Sequence, residues 1–159
     1  MTAIALRRSA GPRPLARPAA VRTVAEAAAL AVGYQRVRAA TEALCAPLSP
    51  EDAGAQSMKD ASPAKWHLAH TSWFFETMVL SRRPGYRVFD RRYLDLFNSY
   101  YQRLGRPFER AARGLLTRPS LQEVMQYRAQ VDRAMLELLA GPVPAASRTL
   151  IELGLHHEQ

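Results

Sequence analysis

Residues 62–80 read SPAKWHLAHTSWFFETMVL, and this stretch decides the fold. Ser62 is suited to cap the first exposed N–H groups of a helix, and Pro63 to its first turn, where a missing N–H costs nothing. Trp66, Ala69, Trp73, Thr77 and Leu80 recur at steps of three and four, so they share one helical face. At about 100° per residue, His70 falls about 40° from Trp66, inside that face, while His67 falls about 100° away, on the flank. One histidine therefore points into the core. A core imidazole has two ring nitrogens that need partners. A backbone carbonyl or a carboxylate would serve, and so would a metal, for which histidine is the commonest ligand.

Working outward towards the N-terminus, residues 48–61 read as a loop with a short turn at Pro50-Glu51-Asp52. Before it, Thr23-Val-Ala-Glu26 is a capping-box pattern opening a first helix. Its buried stripe is expected at Leu30, Tyr34, Val37, Thr41 and Leu44, with Pro47 just past its end. Residues 1–22 are rich in Arg, Pro and Ala and are expected to form a disordered basic tail, leaving 23–159 as one helical bundle.

Towards the C-terminus, Arg82 and Arg83 suit the end of the central helix and Pro84-Gly85 stops it. Asp90 is placed to cap a short helix through Tyr93, Leu94, Phe97 and Tyr101, ending at Gly105. Residues 106–119 read as a loop. Ser120-Leu-Gln-Glu123 is a second capping box. It opens a helix of about 20 residues, with Val124, Tyr127, Val131, Met135 and Leu138 inward and Gly141-Pro142 as its stop. A last helix starts near Ser147 or Thr149. Four main helices and no alternating strand pattern predict an all-α fold, a four-helix bundle.

The chain has 159 residues, a hydrophobic content of 48% and a net charge of +8. The basic balance does not predict nucleic-acid binding, because five arginines lie in the tail and the rest are scattered rather than aligned on one face. No apolar run approaches the ~20 residues needed to cross a bilayer, so no membrane partner is expected. Cys45 is alone, which excludes an internal disulfide and makes a reducing cytoplasm the expected location; it reads as a small buried residue of the first helix.

The chain ends LIELGLHHEQ. Leu150, Leu153, Gly154 and His157 share a face, whereas His156 turns towards solvent. No capping signal follows, so the last helix is expected to be truncated. His157-Glu158-Gln159 is the beginning of a His-Glu-x-x-His pattern, in which two histidines on one face bind one metal. The segments SPAKWHLAHTSWFFE, LFNSYYQ, RGLLTRPS, YRAQVDRAM and ELGLHHEQ together resemble the N-terminal DinB-like domain of the ergothioneine-type sulfoxide synthases, over roughly residues 24–159.

That resemblance implies a DinB-like four-helix bundle with a mononuclear non-haem iron(II), Fe(2+), held by three histidines. The ligands it implies here are His70 and His157, with the third two positions past Gln159; His67 and His156 match the motifs but not the ligand positions. It also implies a C-terminal domain similar to formylglycine-generating enzymes, which these 159 residues lack, so this chain alone is expected to be inactive. The implied parent enzyme joins a cysteine-type thiol, cysteine or γ-glutamylcysteine, to Nα-trimethylhistidine with O₂, forming a sulfoxide. Arginines suit the substrate carboxylates and aromatic faces the quaternary ammonium. Arg87, Arg103, Arg113, Tyr100, Asn98 and Tyr101 lie in connections able to approach the iron, with Asn98 and Tyr101 expected to face substrate. Glu76 and Glu158 are expected to orient neighbours or face solvent rather than act as bases. The alternatives are a stand-alone DinB-like thiol S-transferase using a divalent metal, and a non-catalytic bundle with a basic tail.

Overall fold

The computed structural model describes residues 24–99 and 108–159. The basic tail, Thr23 of the first capping box, and Tyr100, Tyr101, Arg103 and Gly105 lie outside the described residues. Within them the chain is all helical: α1 (Val24–Cys45), α2 (Pro50–Gly54), α3 (Ala64–Met78), α4 (Tyr93–Leu96), α5 (Leu121–Leu139) and α6 (Ala145–Glu158). Two 3-10 turns, Leu80–Arg82 and Arg110–Leu115, complete the set. The four long helices make the expected bundle, with α3 packed against α1, α5 and α6. No helix among the described residues is long and apolar enough to cross a membrane.

The position of α3 corrects the one-face reading of residues 62–80. Leu68, Phe74 and Phe75 are as buried as Trp66, Ala69 and Trp73, and Thr71, Ser72 and Glu76 are buried with them. From residue 68 to residue 76 the helix has neighbours on every side, and of its residues only His67, in the first turn, is exposed, so its periodicity identifies only part of what it buries. Its start also differs. Pro63 occupies the cap position without a side-chain bond, because the Ser62 hydroxyl accepts from Arg113 Nη1 at 2.8 Å instead. The helix ends at Met78, and Leu80 is buried in the following 3-10 turn. Gly85, at φ +80°, then makes the turn that a side chain would strain.

The α5 reading is closer. Ser120 and Glu123 form the reciprocal capping box, and Val124, Tyr127, Val131 and Met135 are fully buried. The stripe continues to Leu139 rather than Leu138. In α1, Leu30, Tyr34 and Val37 face the core, but Leu44 is exposed because the helix has run past its neighbours by then. The turn at Pro50 is α2, capped by Ser49. Asp90 does not cap α4 as a helix; it accepts from the Arg92 N–H instead, and α4 stops at Leu96. The last helix starts at Ala145, earlier than expected, and its inward face carries Ile151 and Gly154, leaving Leu153 exposed.

Candidate metal centre

His70 sits on the second turn of α3, where residues four before and three after stack on its ring. Trp66 lies 4.5 Å away with planes 17° apart, and Trp73 lies 5.6 Å away at 14°. Sandwiched this way, the imidazole cannot rotate. Its Nδ1 stands 2.6 Å from the Phe97 carbonyl oxygen. A carbonyl only accepts, so Nδ1 carries the hydrogen and Nε2 presents a lone pair. Burial lowers the His70 pKa to about 4, with His157 and Arg113 adding to the effect against the opposing Phe97 hydrogen bond, so the ring is neutral at neutral pH.

The His70 lone pair faces the ring of His157 from α6, Nε2 to Nε2 at 2.9 Å. The structure thus brings together the two histidines that the resemblance marked, although His157 itself lies at the exposed edge of its helix. Two nitrogens each about 2.1 Å from one ion and at right angles to each other stand about 3 Å apart, so the pair fits a shared cation. Fixing the tautomer of a ligand imidazole through its other nitrogen is the usual supporting contact of such sites. The donors are two: among the described residues no group of three or more His, Cys, Asp or Glu side chains is placed to hold a metal.

Close approach of α6 to α3 depends on Gly154. A Cβ there would stand 2.6 Å from Phe75 Cε1 and 2.8 Å from Phe74 Cε1. One turn further on, the Phe74 ring lies 5.6 Å from the ring of His157.

A cavity of about 430 Å³ opens over the pair, lined in part by His67, Thr71, Ser99, Arg110 and Arg113. Arg113 stands 3.4 Å over the Trp66 ring and donates to Ser62 Oγ and Ser99 Oγ at 2.8 and 3.0 Å. Among the described residues its buried Nε has no hydrogen-bond partner. Burial first, and then Arg110, lowers its pKa to about 10, so it remains a cation. Among the described residues its bonded partners are hydroxyls and the Phe108 carbonyl, not a carboxylate.

The other marked residues fall differently. Asn98 is fully buried, and its neighbour Ser99 lines the cavity instead. Arg87 lies in another depression, with Arg83, Tyr86 and Glu137. Glu76 is buried and orients neighbours, accepting from Tyr86 and Tyr127 hydroxyls and the Phe89 N–H at 2.7, 2.8 and 3.0 Å. Sequence reasoning passed over Arg38 and Arg128, both buried and both bonded to Glu158. The available signal was that each falls beside the apolar stripe of its helix, and arginine is almost never buried without a partner.

A search of curated proteins finds no match to this chain. A match to the DinB superfamily spans residues 34–157, from Tyr34 on α1 to His157 on α6. It takes in α3 and α5 whole, the second half of α1, nearly all of α6 and both facing histidines, and the chain belongs to the DinB superfamily.

Proposed function

We propose that this chain is the iron-binding bundle of a non-haem iron(II), O₂-dependent sulfoxide synthase of the ergothioneine type. The reading rests on one observation, the 2.9 Å approach of two imidazole Nε2 atoms, one of them fixed as a lone-pair donor. His70 and His157 hold the metal, and a third donor comes from outside the described residues. Bound iron(II) supplies open positions for a thiolate and O₂. Arg113 and Arg110 in the cavity wall suit the carboxylates of a cysteine-type thiol and of Nα-trimethylhistidine. Aromatic faces suit the trimethylammonium group. Cytoplasmic residence, with Cys45 reduced, belongs to the same reading.

Anaerobic titration of the chain with Fe(II), or with Co(II) followed by its visible absorption, tests the metal. Both His70→Ala and His157→Ala are expected to weaken binding by at least about tenfold. Equal affinity in all three proteins overturns the reading. The reaction is tested by mass spectrometry of the parent protein with cysteine, Nα-trimethylhistidine and O₂. A sulfoxide that forms only with O₂ supports the synthase. Transfer of the thiol without O₂ onto an electrophile that carries a leaving group, such as 1-chloro-2,4-dinitrobenzene with loss of chloride, and no product from Nα-trimethylhistidine, supports the S-transferase alternative, and bound metal of any kind speaks against a purely structural bundle.

A further inference from the structure

Three of the least exposed polar side chains in the bundle meet at one carboxylate. Arg38 of α1 and Arg128 of α5 are 3% and 0% exposed, and the Glu158 side chain of α6 between them is 0% exposed. Arg128 Nη2 donates to Glu158 Oε1 at 2.7 Å and Arg38 Nη1 to Oε2 at 2.9 Å. Each guanidinium also has an outer carboxylate of its own. Asp132 accepts from Arg38 Nε at 2.7 Å, and Glu42 from Arg128 Nε at 3.0 Å. Both arginines donate in addition to Thr71 Oγ1, the residue after His70, at 3.2 and 3.0 Å. Glu158 therefore ties α6 to α1 and α5 at the residue following His157, through cations that also grip α3 beside His70.

In a His-Glu-x-x-His zinc site the glutamate serves as general base. A base needs an oxygen within reach of the proton it takes. Both oxygens of Glu158 are already engaged by guanidinium groups, so the geometry gives it another task. We infer that Glu158, gripped by Arg38 and Arg128, is a positioning residue that fixes the roll of α6 and aims the His157 ring at His70.

Neighbouring helical residues point about 100° apart, so anchoring one side chain sets the direction of the next. A buried ion cluster is seldom more stabilising than apolar side chains of the same volume, and in some systems its use is to enforce one register. The inference rests on the metal-pair reading for its purpose, while the clamp itself is testable without metal.

The test uses the 159-residue chain with Glu158→Gln, with Arg38→Lys, and with Glu152→Gln as a surface control. Arg38→Lys keeps the charge and loses the planar fork. Co(II) affinity, melting temperature and hydrogen exchange of residues 151–159 without metal are measured in each. Glu158→Gln and Arg38→Lys are both expected to weaken Co(II) by about tenfold or more. Exchange in the last turn of α6 should rise in both, while exchange in α5 stays at the wild-type level. Wild-type affinity in both variants overturns the inference. So does weakened binding in Glu158→Gln alone with unchanged exchange, since loss of a nearby negative charge would then suffice. If His70→Ala binds Co(II) as the unmodified chain does, the metal reading falls, and the exchange of residues 151–159 alone then decides the clamp.

Discussion

Gly154 and Gly33 are both helical glycines, and alanine at the two positions should act in opposite directions. Alanine in a helix interior is favoured over glycine by about 1 kcal/mol. At Gly33 an added Cβ meets nothing within 4 Å, so Gly33→Ala is expected to raise stability by about that amount. At Gly154 the Cβ would press on Phe74 and Phe75, which are 1% and 0% exposed and cannot swing aside. Overpacking costs about 1–3 kcal/mol, so the clash outweighs the propensity, and Gly154→Ala should melt earlier and bind metal more weakly. Glu76 gives a second contrast. Glu76→Leu strands two tyrosine hydroxyls and the Phe89 N–H, at about 1–3 kcal/mol for a buried orphan, whereas Leu44→Ser at an exposed position should shift stability by no more than about 0.5 kcal/mol; thermal denaturation reads both. His70 and His157 were legible in the sequence because a motif and a helical face mark them. Arg38, Arg128 and Glu76 were not, since a charged residue reads as solvated until its partner is known. Those partners lie 120, 30 and 51 positions away along the chain.

Among the elements, α5 shows how local signals can define a helix. Its capping box, inward stripe and Gly141-Pro142 stop all act within a few residues, and the structure departs from the expected stripe at its last position and at Arg128, which it buries as well. Ser120→Ala removes the hydroxyl that accepts from the Glu123 N–H and is expected to cost about 1 kcal/mol. Part of the box depends on pH. Hydrogen bonds from the Ser120 N–H and hydroxyl hold the Glu123 carboxyl below its usual 4.5 in the folded chain, so its contribution is present above that value. It is lost as pH falls through the lowered value. The stability difference between Ser120→Ala and the unmodified chain should therefore narrow in acid, and melting curves at pH 7 and pH 3 check this. For α3 the local signals were insufficient. Its true cap is decided by Arg113, 51 positions away, and its all-round burial is decided by three other helices.

For the molecule as a whole, metal and fold should be linked. A ligand that binds only the folded state at 100 times its dissociation constant adds about 2.7 kcal/mol. Adding Co(II) is therefore expected to raise the melting temperature, EDTA to reverse the rise, and His70→Ala to abolish it. Four helices were legible as four helices, because caps and periodicity are local. Which helix lies in the middle was not, because centrality is a property of the assembled bundle. That centrality has an evolutionary consequence. Residues 68–76 are buried without a break, so the helix carrying His70 offers sequence drift no free side. A lineage that kept this bundle while changing its substrate would have to vary the opposite wall, where Arg110, Ala111 and Leu115 are exposed around the buried Arg113. In a library randomised over both segments and sorted for folding, residues 68–76 should come back nearly unchanged, as should Arg113 and Gly114, while positions 110, 111 and 115 diversify.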